Sequence, residues 1–521
     1  VPALDPHKLD AWLVAGSLVL LVAVLGVRLT LKTGLPSLLL YLGLGLLIGE
    51  AGFGFEFSNA ELTQNLGLLG LALILAEGGL TTRWEVVRPA VPFAIVLATV
   101  GVFISVTVVA TSAYFLLGFS IQQALLLGAV VSSTDAAAVF SVLRNIPLPR
   151  RLTSALEAES GFNDAPVVIL VTLLSSDSWQ ENSIWEVLFT VFSELAIGAA
   201  IGLAVAWLGQ QLLSRISLPA VGLYPLATLA IALLSYASAG LLHGSGFLAV
   251  YITGLWLGNA RLPHRRATLA FAEGTAWLSQ IGLFVLLGLL ASPSRLPEAI
   301  VPALVAGAIL TVVARPLSVR VSSLPFAIPW REQAFLSWAG LRGAVPIVLA
   351  TIPLTAQIDG GTRIFDIVFV LVVIYTLLQG PTLPVAARVL GISESARSRE
   401  MSVDAAPLDE MNADLLQFTI PQDSLMHGVT VIELRLPTSA NVTLVVRDGR
   451  TSMPDPEQRL RHGDQLLIVT TAAVRELVEA RLQAVNEFGR LAQWVDEADD
   501  IAASNPSWFS RTWTRIAANR F

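Results

Sequence analysis

The sequence predicts an all-α polytopic membrane protein of about thirteen transmembrane helices, with inverted repeats and two crossing discontinuous helices, followed by a small cytosolic α+β domain. Three observations predict it. Residues 11–390 hold run after run of apolar residues long enough to cross roughly 30 Å of hydrocarbon. The loops between these runs alternate in charge. Two runs in corresponding places are broken by polar or glycine-rich segments. The whole chain is 54% hydrophobic and 14% charged, against about 25% charged in soluble proteins. That deficit is confined to the first three quarters, because the chain beyond residue 403 has ordinary soluble composition.

The predicted spans are 11–31, 35–52, 63–80, 89–117, 122–143, 153–176, 184–213, 220–241, 245–259, 269–290, 297–319, 332–353 and 364–387. No charged segment and small-residue cleavage site precede the first, which is therefore expected to be a retained helix and not a signal peptide. With the N-terminus outside, one set of loops holds Arg28 and Lys32, Arg83 and Arg88, Arg144 to Arg151, Arg215, Arg261 to Arg266, and Arg315 to Arg331. The other set holds Glu50, Glu56 and Glu61, then Asp177, Glu181 and Glu186, then Arg295 with Glu298, then Asp359 and Arg363. Cytoplasmic loops attract Lys and Arg, so the alternation supports the count and places the C-terminus in the cytoplasm.

Span 122–143 is interrupted at Ser132-Ser133-Thr134-Asp135, and span 332–353 at Gly340-Leu341-Arg342-Gly343-Ala344-Val345-Pro346. Each is the fifth helix of a six-helix block. Interrupted helices in matching positions of two halves point to an inverted-repeat transporter with its site at the crossing.

Residues 1–390 form the predicted membrane domain and 391–403 a linker. In the remainder, Leu415 to Ile420, Val442 to Val446 and Leu466 to Val469 read as short strands, with turns at Arg447-Asp448-Gly449 and Arg461-His462-Gly463-Asp464. Ala472 to Val485 reads as an amphipathic helix, giving a small module over 404–485. A tail, 486–521, follows with an acidic patch at Asp496, Glu497, Asp499 and Asp500 and an aromatic-basic end from Trp508 to Arg520.

The chemistry concentrates in Glu159-Ser160-Gly161-Phe162-Asn163-Asp164-Ala165-Pro166 at the head of an apolar run. A charge near the bilayer centre costs roughly 2.5–3.5 kcal/mol on insertion scales, so retained acids there point to ion or proton handling. Residues four apart share a helix face, which pairs Ser160 with Asp164 and Glu159 with Asn163. Asp164 is the expected ion- and proton-carrying residue. Burial favours the protonated carboxyl, and a proton and a cation competing for one carboxylate make a minimal antiporter. The bland alternative is a helix N-cap near the membrane surface. Thr134 and Asp135 lie in the first interruption, where an unwound helix offers carbonyls that suit a hard monovalent cation; Asp135 alternatively caps the second half-helix. Arg342 needs a partner in hydrocarbon, and Glu159 is the expected one, as a structural ion pair; alternatively Arg342 snorkels to the cytosolic end. Glu77 either approaches the same cavity or lies near the inner surface.

These residues resemble a known family. Residues 132–140 (Ser-Ser-Thr-Asp-Ala-Ala-Ala-Val-Phe), 159–166 and 340–346 are similar to motifs of the monovalent cation:proton antiporter-1 family, and within it to bacterial potassium/proton antiporters with a C-terminal RCK-type domain. The resemblance implies a thirteen-helix inverted-repeat exchanger with a dimerisation domain and a moving core, working as a homodimer by an elevator-like movement in the bacterial cytoplasmic (inner) membrane. It implies that Asp164 is the essential carboxylate, that Ser160, Thr134 and Asp135 line the cation site, and that Glu159 and Arg342 are the buried ion pair. An Asn163-Asp164 pair, in place of two Asp, implies electroneutral exchange, although Asn163 alternatively orients the site without touching an ion. Many sodium-transporting relatives have Thr-Asp-Pro where this chain has Thr134-Asp135-Ala136, a change that relaxes the backbone there.

The implied cargo is K+ or Na+ against H+, with no cofactor. The competing classes are an RCK-gated cation channel and an intramembrane enzyme. No filter-like Thr-Val-Gly-Tyr-Gly supports the first, and five His with no Cys supply no metal or nucleophile set for the second. No phosphate-binding Gly-x-x-x-x-Gly-Lys-Ser/Thr loop occurs. The 404–485 module resembles the RCK C-terminal domain without its dinucleotide-binding half; it is expected either to bind an unidentified small ligand, to sense pH or ions, or to assist dimer contacts. The other expected partner is membrane lipid, and no nucleic acid is expected.

Overall fold

In a computed structural model, residues 6–392 and 403–492 are described, apart from 34–35, 51, 53, 55–56, 136–138, 140–141, 144–147, 177–178, 180–182, 409–412, 423, 448 and 472–473. Every predicted span coincides with a helix or a broken helix. These are α1 (Pro6–Thr33), α2 (Ser37–Ile48), α3 (Ala60–Thr81), α4 (Val91–Leu117), α5 (Ile121–Val130), α6 (Arg150–Leu174), α7 (Ile184–Arg215), α8 (Leu223–Leu241), α9 (Gly246–Asn259), α10 (Arg265–Leu290), α11 (Leu296–Phe326), the half-helices α12 (Trp330–Trp338) and α13 (Ala344–Thr355), and α14 (Gly361–Val389).

Among the described residues, seven of these helices are long and apolar enough to cross a membrane, by length and composition. The exceptions are instructive. α5 and α13 are short because their spans are broken. α6 has the length but carries Arg150, Arg151, Glu157, Glu159 and Asp164, so hydropathy by itself rejects the helix that holds the chemistry.

Local sequence sets the ends. Ser120 with Gln123, and Ser183 with Glu186, form capping boxes at the starts of α5 and α7. Small residues set the crossings. A Cβ on Gly79 would lie 2.6 Å from the carbonyl oxygen of Tyr251, and one on Gly254 would lie 2.6 Å from that of Ala76, so α3 and α9 touch backbone to backbone. Close approach through glycine replaces the hydrophobic drive that lipid cannot supply.

The two six-helix blocks share more than a broken fifth helix. α4 and α11, the fourth of each block, both contain a π-helical turn, at Leu97–Gly101 and Leu310–Ala314. Such turns mark functional segments of helices. Here the second one ends immediately before Arg315. The seven-span offset between the blocks is odd, so the second is inverted in the membrane relative to the first.

The chain divides into two compact units, Val1–Ser393 and Glu394–Phe521. The second holds a five-stranded antiparallel sheet, β1 (Val403–Leu408), β2 (Ala413–Thr419), β3 (Asn441–Arg447), β4 (Arg450–Ser452) and β5 (Gln465–Thr471), in the order β1-β2-β5-β3-β4. The three predicted strands are β2, β3 and β5. The predicted hairpin turn at Arg447–Gly449 joins β3 to β4, with Gly449 at φ +74° as a tight turn requires. β1 and β4 are edge strands that the sequence reading missed. β1 reads Val-Asp-Ala-Ala-Pro-Leu, with little strand propensity and a proline tolerated only at an edge. One face of the sheet packs Leu416, Phe418, Val445 and Ile468 against Val478, Leu482 and Val485 of α15 (Arg475–Phe488), the predicted amphipathic helix. The acidic patch and the aromatic-basic end lie outside the described residues.

Candidate functional site

The two broken spans meet. α5 unwinds after Val130, and Ser132 to Asp135 leave the helix. α12 ends at Trp338, and Gly340 to Gly343 run non-helically into α13. The Asp135 amide donates to the Leu341 carbonyl at 2.9 Å, joining the interruptions through the backbone. Arg342, only 3% exposed, donates through Nη1 to the Ser132 carbonyl at 2.8 Å and also to the Ser133 carbonyl. Its own carbonyl accepts from Thr376 of α14 at 3.2 Å. A Cβ on Gly343 would collide with the carboxylate of half-buried Asp135, so only glycine permits this approach.

α6 passes beside the crossing and presents its polar residues to it. The Ser133 hydroxyl donates to Asp164 Oδ1 at 2.5 Å, and Asp164 is 2% exposed. Asn163 Nδ2 donates to Thr134 Oγ1 at 2.6 Å, and Thr134 donates to Glu159 Oε1 at 3.2 Å. Asn163 Oδ1 is buried and unpartnered, a carbonyl oxygen with acceptor capacity to spare beside Asp164. Ser160, one turn before Asp164, is half-buried on the same face. Pro166 has no N–H to give the Phe162 carbonyl one turn back. The side chains that the sequence singled out on α5 and α6 therefore meet in two adjacent sets, Ser133 with Asp164 and Asn163 with Thr134 and Glu159.

Two expectations are corrected. Glu159 pairs with Arg315, not with Arg342: Nη1 meets Oε1 at 2.5 Å and Nη2 meets Oε2 at 2.7 Å, a two-pronged pair whose members are about 5% exposed or less. Arg342 needs no carboxylate because it lies in the interruption itself, where unwound carbonyls supply its acceptors. Arg315 was assigned to a cytosolic loop. Arg315 falls inside the predicted span 297–319 and α11 continues beyond it to Phe326, so Arg315 is a buried residue of the helix and not a residue of the loop after it. Ser318, Ser322 and Ser323 follow it at helical spacing and are buried too; that polar stripe was the available signal. The second correction concerns Glu77. It lines a separate small cavity with Leu73 of α3, Thr228 of α8, and Thr268 and Thr275 of α10, which includes none of the crossing residues.

A buried carboxylate network where two broken helices cross, within paired six-helix blocks, defines a secondary transporter of the inverted-repeat class. The chain belongs to the sodium/hydrogen exchanger family: the family described as "Sodium/hydrogen exchanger, transmembrane" matches residues 17–389, and a TrkA-C domain matches 415–483. The K(+)/H(+) antiporter NhaP of Alkalimonas amylolytica is 37% identical over 460 residues, covering 87% of this chain and 80% of the relative. The K(+)/H(+) antiporter NhaP2 of Shewanella oneidensis is 34% identical over 525 residues, covering 99% and 89%. The Na(+)/H(+) antiporter ApNhaP of Aphanothece halophytica is 31% identical over 376 residues, covering 68% and 71%. In fold, the chain is similar to the sodium proton antiporter MjNhaP1 from Methanocaldococcus jannaschii, with a TM-score of 0.64 and 22% identity over 74% of this chain and all of that one.

Proposed function

We propose that the protein exchanges K+ for H+ across the bacterial cytoplasmic membrane, one for one, with both ions competing for Asp164. The charge content of the crossing carries this reading. Among the described residues named at the crossing, the acids are Glu159, Asp135 and ionised Asp164 and the bases are Arg315 and Arg342. The cluster is thus one positive charge short, and a proton on Asp164 or a monovalent cation beside it makes up the difference. Both loaded states carry the same charge; the empty state carries one more negative charge and is the costly one to move through a low-dielectric barrier. Alternating access with only the loaded forms mobile is coupled exchange. Asn163 keeps the deficit at one, where an Asp would raise it to two.

The cation would sit among Asp164, Ser160, Thr134, Asp135 and the unpartnered Asn163 Oδ1. Glu159 with Arg315 would fix Thr134 and hold α6 to α11, while Arg342 would fix the unwound carbonyls. Glu77 plays no part in cation binding in this reading. The loop charges support an N-terminus outside and a cytoplasmic C-terminus, and the family supports a homodimer moving by an elevator-like step. The TrkA-C domain would regulate exchange in response to an unidentified small ligand or to pH.

K+ is preferred over Na+ because the K(+)/H(+) antiporter relatives match at higher identity over more of the chain. The Na(+)/H(+) antiporter ApNhaP keeps Na+ as the second reading. Apparent affinities for K+, Na+, Rb+ and Li+ in one proteoliposome assay with a trapped pH dye decide between them.

The stoichiometry has its own test. With equal K+ on both faces, valinomycin clamps the membrane potential at zero. Collapse of an imposed pH gradient is expected to run at the same rate with and without it, whereas acceleration by valinomycin would overturn one-for-one exchange. Gly343→Ala is expected to push Asp135 aside and raise the K+ concentration for half-maximal exchange about tenfold, equivalent to roughly 1.4 kcal/mol. An unchanged value would remove Asp135 from the cation site.

A further inference from the structure

We propose that His427 and His462 form a proton-sensing latch in the C-terminal domain. The two rings stack with centroids 4.3 Å apart and planes tilted by 38°. The backbone N–H of His462 donates to His427 Nδ1 at 3.4 Å. His462 Nε2 lies 3.1 Å from the Ser424 carbonyl, which can only accept, so that nitrogen carries a proton. The His427 Nδ1 is an acceptor in this arrangement and carries none.

That geometry fits only uncharged His427. A proton on Nδ1 would set donor against donor at His462 and place a cation on a neighbouring imidazole. The surrounding charges do not relieve it. On the turn before β5, Asp464 already accepts from both Arg447 nitrogens at 2.7 Å and from the Arg461 amide at 2.8 Å. On the opposite side, Glu433 is held by the Thr430 amide at 2.8 Å and by Arg490 at 3.4 Å; that amide bond, first among its causes, lowers its carboxyl below the usual range. Arg461 precedes His462 in the chain, and Arg490 reaches the Gly428 carbonyl beside His427. Imidazole is the side chain whose charge changes within the physiological range, and His427 is exposed and His462 half-exposed, so solvent reaches both rings.

The latch spans two segments with a structural consequence. One is 424–428, whose Leu425 amide bonds the Asn486 carbonyl of α15 at 3.0 Å and whose Gly428 carbonyl accepts from Arg490 at 3.1 Å. The other is the 461–464 turn that feeds β5. Opening the stack therefore loosens the C-terminal end of α15. The inference rests on the exchange reading only for its functional readout.

The test uses full-length protein in proteoliposomes, with initial exchange rates from about pH 5.5 to 8. His427→Asn keeps an acceptor near the Nδ1 position and cannot titrate; His427→Lys carries a fixed charge. The wild type is expected to follow H427N at the alkaline end and H427K at the acid end. The two variants should differ by about fivefold at intermediate pH, the low end of allosteric couplings. A merely structural role would impair both alike, and coincident profiles for both variants and wild type overturn the latch. Hydrogen exchange of wild-type amides in 424–428 and 461–464, corrected for intrinsic rates, supplies a second readout independent of transport. Protection should fall as the pH drops, and constant protection would also overturn the proposal, while leaving cation/proton exchange untouched.

Discussion

Asp164→Asn is expected to bring exchange down to the level of protein-free vesicles while leaving the folded protein intact. Asn is nearly isosteric with Asp, and its Oδ1 can still accept the Ser133 hydroxyl that now bonds Asp164 at 2.5 Å. It removes the single charge that either a proton or a cation must neutralise. The variant is electrically fixed in the state that the loaded protein reaches reversibly, so it neither binds K+ nor releases H+. Stability should hold or rise, because an ionised carboxylate that is 2% exposed is costly. Two measurements are needed together: K+-driven alkalinisation of an acid lumen, and thermal unfolding of the detergent-solubilised protein. Loss of transport with an unchanged or higher melting temperature is the expected pair. Undiminished transport would place the carrier on another residue.

The second large effect is on stability. Arg315→Met leaves Glu159 charged, buried and without its two-pronged partner, and removing one member of a buried pair costs about 3–5 kcal/mol. A sharp drop in melting temperature and in the yield of folded protein is expected. Removing both charges in Arg315→Met/Glu159→Leu should recover most of the loss, since a buried pair is often no more stabilising than an apolar replacement. Double-mutant cycles then separate the observed pairing from the one that sequence suggested. Coupling between 159 and 315 should lie near the upper end of the about 0.5–3 kcal/mol range for contacting residues, and coupling between 159 and 342 should be smaller. The reverse order would contradict the geometry of α11.

The expectations succeeded wherever the physics is local. The succession of apolar spans and the placement of Glu159, Ser160, Asn163 and Asp164 on one helix follow from apolar run length and helical periodicity, which need no knowledge of neighbours. The interruptions were legible from local clusters of polar residues or glycines within an apolar span; the first falls at 132–135 as expected, and the second is shorter than the predicted 340–346, because Ala344 to Pro346 already belong to α13. In the C-terminal domain the buried strands β2, β3 and β5 were legible from β-branched and aliphatic runs. The edge strands β1 and β4 were not, because an edge strand is held by pairing on one side only and its own composition is nearly neutral.

What misled the reading was depth and rotation. An arginine near the end of an apolar run looks like a loop residue, and a glutamate inside one looks like a site. Arg315 became the partner of Glu159 because a π-turn before it and the helical stretch Arg315–Phe326 place it within the bundle, 156 residues away in sequence. Glu77 was turned toward α8 and α10 by the packing of α3, which no spacing within 71–80 encodes.

The amino-acid sequence alone thus determined the succession of apolar helices, the two broken helices, the compositional split before the C-terminal domain, and the helix on which the acids lie, since each is set by interactions within a few turns of chain. Only the tertiary structure decided which arginine neutralises Glu159, that Arg342 binds carbonyls instead, and that Ser133 meets Asp164. In a low-dielectric interior any nearby donor can satisfy a buried charge, and which donor is near is fixed by how whole helices pack and not by any local pattern.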